Sequence, residues 1–302
     1  MGENNNLIEE LVHLYVDGAF SRRELMERVS KHAGGMAAAV VALTALGVGT
    51  AEAQNACPDD VRVPEGAPGI YSSAVSFPGE NATLLGYLAY PNPLAPGRSP
   101  AIIVVHQNRG LVEQIKDITR RVARAGFVGL GVDLLSRQGG TDQFVDPVQQ
   151  MQAYGRTVPA ERRSDLIASL AFLKDQGFVR PDRVGAVGFC AGGGNVWDLA
   201  LNAPELAAAV AFYGAPTPPA DQLDMIQSPV LAIYAELDRA LSLRMADVMT
   251  GMLTKQKTFA FRLYQGVGHA FYDDTGPNYN AAASCDAWGQ TVGWFDKFLR
   301  RA

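Results

Sequence analysis

A cysteine flanked by glycines is the feature of this sequence best suited to chemistry. Cys190 lies in the run GFCAGGG at residues 188–194, between an apolar segment at 184–187 and a helical-looking segment at 195–201. A strand, a sharp turn and a helix in this order form a nucleophile elbow, in which small neighbours let strand and helix pass close together. We predict that Cys190 is a nucleophile for acyl transfer through a thioester. The plainer alternative is a buried cysteine that only packs.

His269 fits the place of a general base. The partners of an elbow nucleophile follow it in the chain order nucleophile, acid, histidine. His269 comes after Cys190 and follows a strand-like segment at 258–264, whereas His106 precedes the cysteine. We therefore predict that His269 is the base and that His106 positions a loop. The alternative for His269 is a hydrogen-bonded loop histidine without a catalytic role.

The predicted acid is Asp238. It lies four residues after the apolar segment 229–234, which has the character of a buried strand. Glu236 is the competing carboxylate, and Asp238 has an alternative role as the N-cap of a following helix. Because open α/β sheets build their sites at the carboxyl ends of strands, we expect Asp238 to meet Cys190 and His269 there.

The chemistry explains these residue types. A free thiol, with a pKa of roughly 8.5, is mostly protonated at neutral pH, so it needs a neighbouring imidazole to take its proton. A carboxylate fixes the tautomer of that imidazole. The oxyanion needs backbone donors, which we predict to be the N–H of Ala191 after the nucleophile and the N–H of Asn108 in the loop after the strand-like segment 101–105.

Several separated stretches together resemble the dienelactone hydrolase family. Their order and spacing over roughly residues 70–300 carry the resemblance, and they are VHQNRGL at 105–111, VDLLSRQGG at 132–140, VGFCAGG at 187–193, FYG at 212–214, YAELD at 234–238 and YQGVGHAF at 264–271. The resemblance implies an α/β-hydrolase fold with a Cys-Asp-His triad that attacks a lactone or ester carbonyl. Strands alternating with helices independently predict a mostly parallel central sheet with helices on both faces.

Two departures from the family pattern concern substrate binding. The early-loop glutamate that contacts the resting thiol in the family is replaced by Gln107, an amide that cannot act as a base. Of the two family arginines that hold a substrate carboxylate, Arg137 matches one, and the other falls near Asp273, where an aspartate would repel an anion. Arg109 is the residue that could substitute. Gln107, Arg137 and Arg109 are thus the predicted substrate-binding residues.

Composition restricts the partners. The chain has 302 residues and a formal net charge of −5, which argues against nucleic acid as a main partner. No metal or organic cofactor is expected, because the two histidines of the predicted catalytic domain form no clustered ligand set. The expected partner is a small ester or lactone, and the sequence does not indicate the oligomeric state.

The N-terminal segment has the character of an export leader. Arg22 and Arg23 precede an alanine-rich apolar run at 33–48, and residues 51–54 (AEAQ) have the form of a cleavage site. The run is shorter than the roughly 20 residues that span a bilayer. We predict a twin-arginine-type signal peptide that contacts the export machinery transiently, leaving a periplasmic or otherwise exported protein without a membrane span. The alternative is a cytoplasmic protein that retains residues 1–56 as a helical arm.

The predicted organisation is therefore a leader and linker at residues 1–56 and a catalytic domain at 57–302. Export would allow Cys57 and Cys285 to form a disulfide, and two unpaired thiols are the alternative. The predicted activity is hydrolysis of small esters or lactones. The alternatives are a thioesterase and a degenerate small-molecule binding protein on the same scaffold.

Overall fold

The computed structural model of the chain describes residues 27–31 and 62–300, with no side chains described at 239–244. The predicted leader, including its arginine pair and its apolar run, lies outside these residues apart from a helical stretch at 27–31. Within that stretch, Val29 is fully buried and belongs to the hydrophobic core. In the described part of the chain, no helix has the length and apolar character needed to cross a membrane.

Eight strands form one sheet, in the order β1-β2-β4-β3-β5-β6-β7-β8. The first two strands pair antiparallel to each other, β2 pairs antiparallel to β4, and all other neighbours are parallel. The strands are β1 (Ile70–Gly79), β2 (Ala82–Pro91), β3 (Ser99–Val105), β4 (Val128–Asp133), β5 (Val179–Phe189), β6 (Ala208–Phe212), β7 (Val230–Ala235) and β8 (Phe259–Tyr264). The predicted mostly parallel sheet is confirmed.

The connections between strands supply the helices. They are α1 (Glu113–Arg124), α2 (Pro147–Gly155), α3 (Pro159–Lys174), α4 (Ala191–Asn202), α5 (Arg239–Thr254) and α6 (Ala281–Phe295), and a π-helical turn (Asp296–Arg300) follows the last of them. Short 3₁₀ turns occur at Ser136–Gln138, Thr141–Gln143 and Ala220–Met225.

Two glycines of β5 show that helices cover both faces of the sheet. Gly185 and Gly188 are three residues apart, so they point to opposite faces of the strand. A Cβ at Gly185 would lie 2.9 Å from Phe295 of α6, and one at Gly188 would lie 2.8 Å from Val196 of α4. Strands covered on both sides are apolar throughout, and every residue of β4, β6 and β7 is buried.

The cysteines divide into two chemical states. Cys285 in α6 is disulfide-bonded, whereas Cys190 is a free thiol. The predicted partner of Cys285, Cys57, lies outside the described residues. Cys190 is therefore available for chemistry.

Candidate active site

Cys190 lies at the sharp turn between β5 and α4. Its backbone has φ 55° and ψ −120°, in the left-handed region that non-glycine residues rarely adopt. The turn is held because the Cys190 N–H donates to the carbonyl of Phe212 at 3.0 Å. A Cβ at Gly192 would lie 2.3 Å from the carbonyl oxygen of Val105, which explains why a glycine stands two residues after Cys190. Such strain is characteristic of functional sites that the surrounding fold holds in place.

The structure brings Cys190, His269 and Asp238 together. His269 Nε2 lies 3.1 Å from the Sγ of Cys190, and His269 Nδ1 lies 2.5 Å from Asp238 Oδ2. A carboxylate only accepts hydrogen bonds, so Nδ1 carries a proton and Nε2 faces the thiol. The three side chains come from the carboxyl ends of β5, β7 and β8, the sheet edge where the sequence predicts them.

The proton affinity of His269 reflects both neighbours. Burial lowers its pKa, but hydrogen bonds to Asp238 and Cys190, together with the charges of both groups, outweigh burial and raise it to about 10. The imidazole therefore holds a second proton readily when a thiolate lies beside it. This is the electrostatic requirement for transferring the thiol proton to the ring.

The two candidate carboxylates for the acid, Glu236 and Asp238, make different contacts. Glu236 accepts a hydrogen bond from the backbone N–H of Gly266 at 2.8 Å, so it holds the loop that leads to His269. Asp238 occupies the N-cap position of α5, as the alternative role required. Its carboxylate nevertheless contacts the imidazole, which an N-cap role alone does not explain.

His106 is a neutral histidine held by the backbone. The N–H of Leu134 donates to His106 Nε2 at 2.9 Å, so Nδ1 carries the proton and donates to the carbonyl of Gln107 at 2.5 Å. The ring is fully buried, and burial lowers its pKa. With both nitrogens occupied, His106 positions the loop and cannot serve as a second base.

That contact also orients the predicted oxyanion donors. A trans peptide points its C=O and N–H in opposite directions, so the N–H of Asn108 faces away from His106. Ala191 is the first residue of α4, and its N–H belongs to the helix end whose donors lack intrahelical partners. Because Val105 of β3 pairs with Gly188 of β5, the two donor segments follow adjacent strands.

Gln107 is turned toward Asp273. Its Nε2 donates to Asp273 Oδ2 at 3.0 Å, and Arg109 Nη2 donates to the same oxygen at 3.1 Å. Burial raises the pKa of Asp273, but hydrogen bonds from Thr275 and Gln107 and the charge of Arg109 lower it overall. The carboxylate is therefore ionised, and both side chains predicted to contact the substrate in this loop are engaged with it.

Arg137 is likewise engaged with a carboxylate. Its Nε and Nη2 donate to the buried Asp165 at distances of 2.8–3.2 Å, and Nη2 also donates to the carbonyl of Glu80 at 2.9 Å. The ion pair borders a polar cavity of about 770 Å³ that includes Arg156 and Arg162 in its lining. The triad residues are not among those that line this cavity. The structure thus places Arg137 at this cavity, with its guanidinium paired.

Sequence reasoning missed two tyrosines of the site. The Tyr213 ring lies 5.0 Å from the His269 ring between centroids and is fully buried, and the FYG run at 212–214 was the available signal. Tyr154, in α2, packs edge-on at 6.0 Å from the His106 ring, and no motif marks it. No group of three or more metal-ligating side chains occurs within the described ranges.

The fold and the carboxyl-edge site define an α/β-hydrolase. The chain belongs to the dienelactone hydrolase family, whose model matches residues 84–299. It is 32% identical over 269 residues to a "Putative carboxymethylenebutenolidase" of Methylorubrum extorquens, covering 85% of this chain and 92% of that protein. It is 31% identical over 220 residues to a "Probable 2-oxo-3-(5-oxofuran-2-ylidene)propanoate lactonase" of Bradyrhizobium, covering 69% of this chain and 87% of that protein.

Solved structures agree with this assignment. The chain is similar to a dienelactone hydrolase-like promiscuous phosphotriesterase from metagenomic libraries, with a TM-score of 0.66 and 26% identity, covering 76% of this chain and 99% of the other. The predicted family and α/β-hydrolase fold are confirmed. The chain is accordingly a hydrolase of the carboxymethylenebutenolidase kind, acting on small lactones or esters.

Proposed function

We propose that this enzyme hydrolyses its substrate through a thioester on Cys190. The observation that carries the proposal is the position of His269, which lies within hydrogen-bond distance of both Cys190 and Asp238. A packing cysteine needs neither a histidine at its sulfur nor a strained backbone. The same arrangement argues against a degenerate binding protein, the alternative reading of the sequence.

The reaction proceeds in two halves. Nε2 of His269 takes the thiol proton, and Sγ attacks the substrate carbonyl carbon while the carbonyl electron pair moves onto oxygen. The N–H groups of Asn108 and Ala191 stabilise that oxyanion. On collapse, the leaving group takes the proton from Nε2 and the thioester remains. Water, deprotonated by Nε2, then attacks the thioester, the acid is released, and the proton returns to Sγ.

We propose that Gln107 orients the resting thiol or a water without accepting a proton. Because its Nε2 is directed to Asp273, its Oε1 faces the opposite way. Val105 of β3 pairs with Gly188 of β5, so Gln107 and Cys190, each two residues further along its segment, follow neighbouring strands at the same edge of the sheet. A neutral acceptor at this position would hold the thiol without competing with His269 for its proton.

The preferred substrate is proposed to be uncharged near the reacting carbonyl. Arg137 is paired with Asp165, and Arg109 is paired with Asp273. At position 273, where the family resemblance places the second arginine, this chain has an aspartate. A substrate carboxylate would have to displace one of these partners and would meet the ionised Asp273. A thioester substrate would use the same machinery, so a thioesterase activity is the second candidate.

Steady-state hydrolysis tests the proposed preference. We expect the full chain to hydrolyse 4-nitrophenyl acetate. Dienelactone, which carries a carboxylate, should have a kcat/KM lower by about 10-fold or more, because one partly buried ion pair must open. Asp273→Asn removes the carboxylate and should reduce the difference in kcat/KM between 4-nitrophenyl acetate and dienelactone. Efficient dienelactone turnover by the native protein, unaffected by Asp273→Asn, would reject this substrate assignment.

We also propose that the catalytic domain, residues 57–302, is exported and that residues 1–56 are its leader and linker. The disulfide of Cys285 supports this, because disulfides are rare in the cytosol. The burial of Val29 instead favours the retained arm. The intact mass of the protein from its native host separates the two: loss of about the first 53 residues is expected, and a full-length mass with Val29 present would contradict export.

A further inference from the structure

The hydroxyl of Tyr154 ends a fixed chain of side-chain hydrogen bonds. Arg162 Nε donates to Asn195 Oδ1 at 3.1 Å, and Asn195 Nδ2 donates to the Tyr154 hydroxyl oxygen at 2.9 Å. The Arg162 guanidinium also lies over the Tyr154 ring, 5.1 Å from its centroid. These contacts join α2, α3 and α4 at one point.

The chain of bonds has only one possible direction. A guanidinium has no acceptor, so the oxygen of the Asn195 amide must face Arg162 and its nitrogen must face Tyr154. The Tyr154 oxygen therefore accepts, and its own proton is directed elsewhere. Within the described part of the chain, no acceptor for that proton is found at hydrogen-bond distance.

Tyr234 shows what a structural tyrosine looks like in the same protein. Its hydroxyl accepts from the indole N–H of Trp197 at 3.3 Å and donates to the carbonyl of Gly214 at 2.8 Å. Both capacities of that buried hydroxyl are used, as is usual in protein interiors. Tyr154 differs because its donor capacity remains open.

Tyr154 packs on the two segments that carry the predicted oxyanion donors. The Tyr154 ring packs edge-on against His106, two residues before Asn108, and Asn195 lies four residues after Ala191 on α4. Four residues of an α-helix rise about 6 Å. Burial raises the pKa of Tyr154, whereas the charge of Arg162 and the hydrogen bond from Asn195 lower it. The charge of Cys190 also raises this pKa, which is consistent with a short distance between Tyr154 and the thiol.

We propose that Tyr154 is a specificity-determining residue whose O–H donates to an oxygen atom in the acyl half of the substrate. Asn195 and Arg162 are its positioning residues, because they fix the direction of the phenol proton. The inference rests on the proposed reaction at Cys190 and extends it to the substrate class. That class consists of esters or lactones with an ether, hydroxyl or carbonyl oxygen a few bonds beyond the reacting carbonyl.

Two isosteric esters measure this preference. 4-Nitrophenyl 3-methoxypropanoate and 4-nitrophenyl pentanoate differ by an oxygen in place of one methylene, so the ratio of their kcat/KM values isolates the contact to that oxygen. In Tyr154→Phe, we expect this ratio to fall by about 3- to 10-fold, the value of one neutral hydrogen bond. Tyr71→Phe, at a surface tyrosine of β1 that is 41% exposed, should leave the ratio unchanged.

Asn195→Asp provides a second, isosteric test that keeps every aromatic contact. A carboxylate at this position accepts hydrogen bonds from both Arg162 and Tyr154. The Tyr154 O–H then donates to the carboxylate and is no longer available to the substrate. We expect the same fall in the ratio, with Tyr154 still present. An unchanged ratio in Asn195→Asp would overturn the proposal even if Tyr154→Phe did not fold. Equal losses for both esters would also overturn it, because they would place the hydroxyl at the shared carbonyl.

The proposed reaction can fail separately. If the native protein does not hydrolyse either ester, or if Cys190→Ala retains the rates of the native protein, the thioester mechanism is wrong. If the thioester mechanism holds and the ratio does not respond, only the role of Tyr154 is wrong.

Discussion

Replacing Cys190 by alanine is expected to lower kcat for 4-nitrophenyl acetate by about 10⁵- to 10⁶-fold, the scale seen when a triad nucleophile is removed. The expectation follows from the geometry: no other described thiol or hydroxyl lies at His269 Nε2 in place of Sγ. Without the sulfur, only the backbone donors and substrate binding remain, and they give a small residual rate. Stopped-flow and steady-state release of 4-nitrophenolate measure the loss.

The fold should survive this replacement. Cys190 packs partly buried against the core, and alanine preserves the hydrogen bond that its backbone N–H donates to Phe212. Alanine carries the same Cβ as cysteine at φ 55°, so the strain of the turn is nearly unchanged. A thermal melt like that of the native protein is therefore the expected control, and retained activity in a folded Cys190→Ala protein would exclude Cys190 as the nucleophile.

Asp238→Asn is expected to lower kcat by about 10⁴-fold, as for other triads that lose this carboxylate. Asparagine can donate to Nδ1, which would favour the tautomer with its proton on Nε2, facing the thiol. That tautomer cannot accept the proton from Sγ. Glu236→Gln is the matched control, because a glutamine oxygen still accepts from Gly266 and only a small change is expected.

The pH profile separates this role from a structural one. Burial lowers the pKa of His269, but Asp238 and Cys190 raise it to about 10 in the free enzyme. The free-enzyme imidazolium, which supplies the proton for an alkoxide leaving group, is therefore lost as the pH rises through about 10. Removing the carboxylate lowers that pKa, so the alkaline limb should move to lower pH in Asp238→Asn. An ethyl ester shows this limb, since ethoxide needs the proton. If Asp238→Asn lowers kcat but leaves the alkaline limb of the pH profile at the same pH, Asp238 only supports the structure of its own loop.

The fold was predictable from the sequence because its signals are local. The strand-like segment at 101–105 corresponds to β3 (Ser99–Val105), and the helical-looking segment at 195–201 lies within α4 (Ala191–Asn202). Each depends on an apolar run or a helical repeat within one segment. The elbow was predictable for the same reason, since its glycines and cysteine are adjacent in the chain.

The contacts around the triad were less predictable, because they join residues far apart in sequence. The sequence identified Gln107 and Asp273 as departures from the family pattern, but not that the two bond to each other across 166 positions. Arg137 was expected at the substrate, and its pairing with Asp165 depends on how α3 packs beside the loop after β4. No sequence motif marks Tyr154. Its proposed role depends on side-chain hydrogen bonds that connect three helices.

The central claim is that a covalent acyl group forms on Cys190. The most direct measurement is mass spectrometry of the full chain, acid-quenched within the first turnover of 4-nitrophenyl acetate and digested at low pH, where thioesters persist. We predict an acetyl group of about 42 Da on the peptide that contains Cys190, absent from the same peptide when alanine replaces the cysteine. An acetyl group on another residue that forms and decays at the turnover rate, with Cys190 unmodified throughout, would contradict the account.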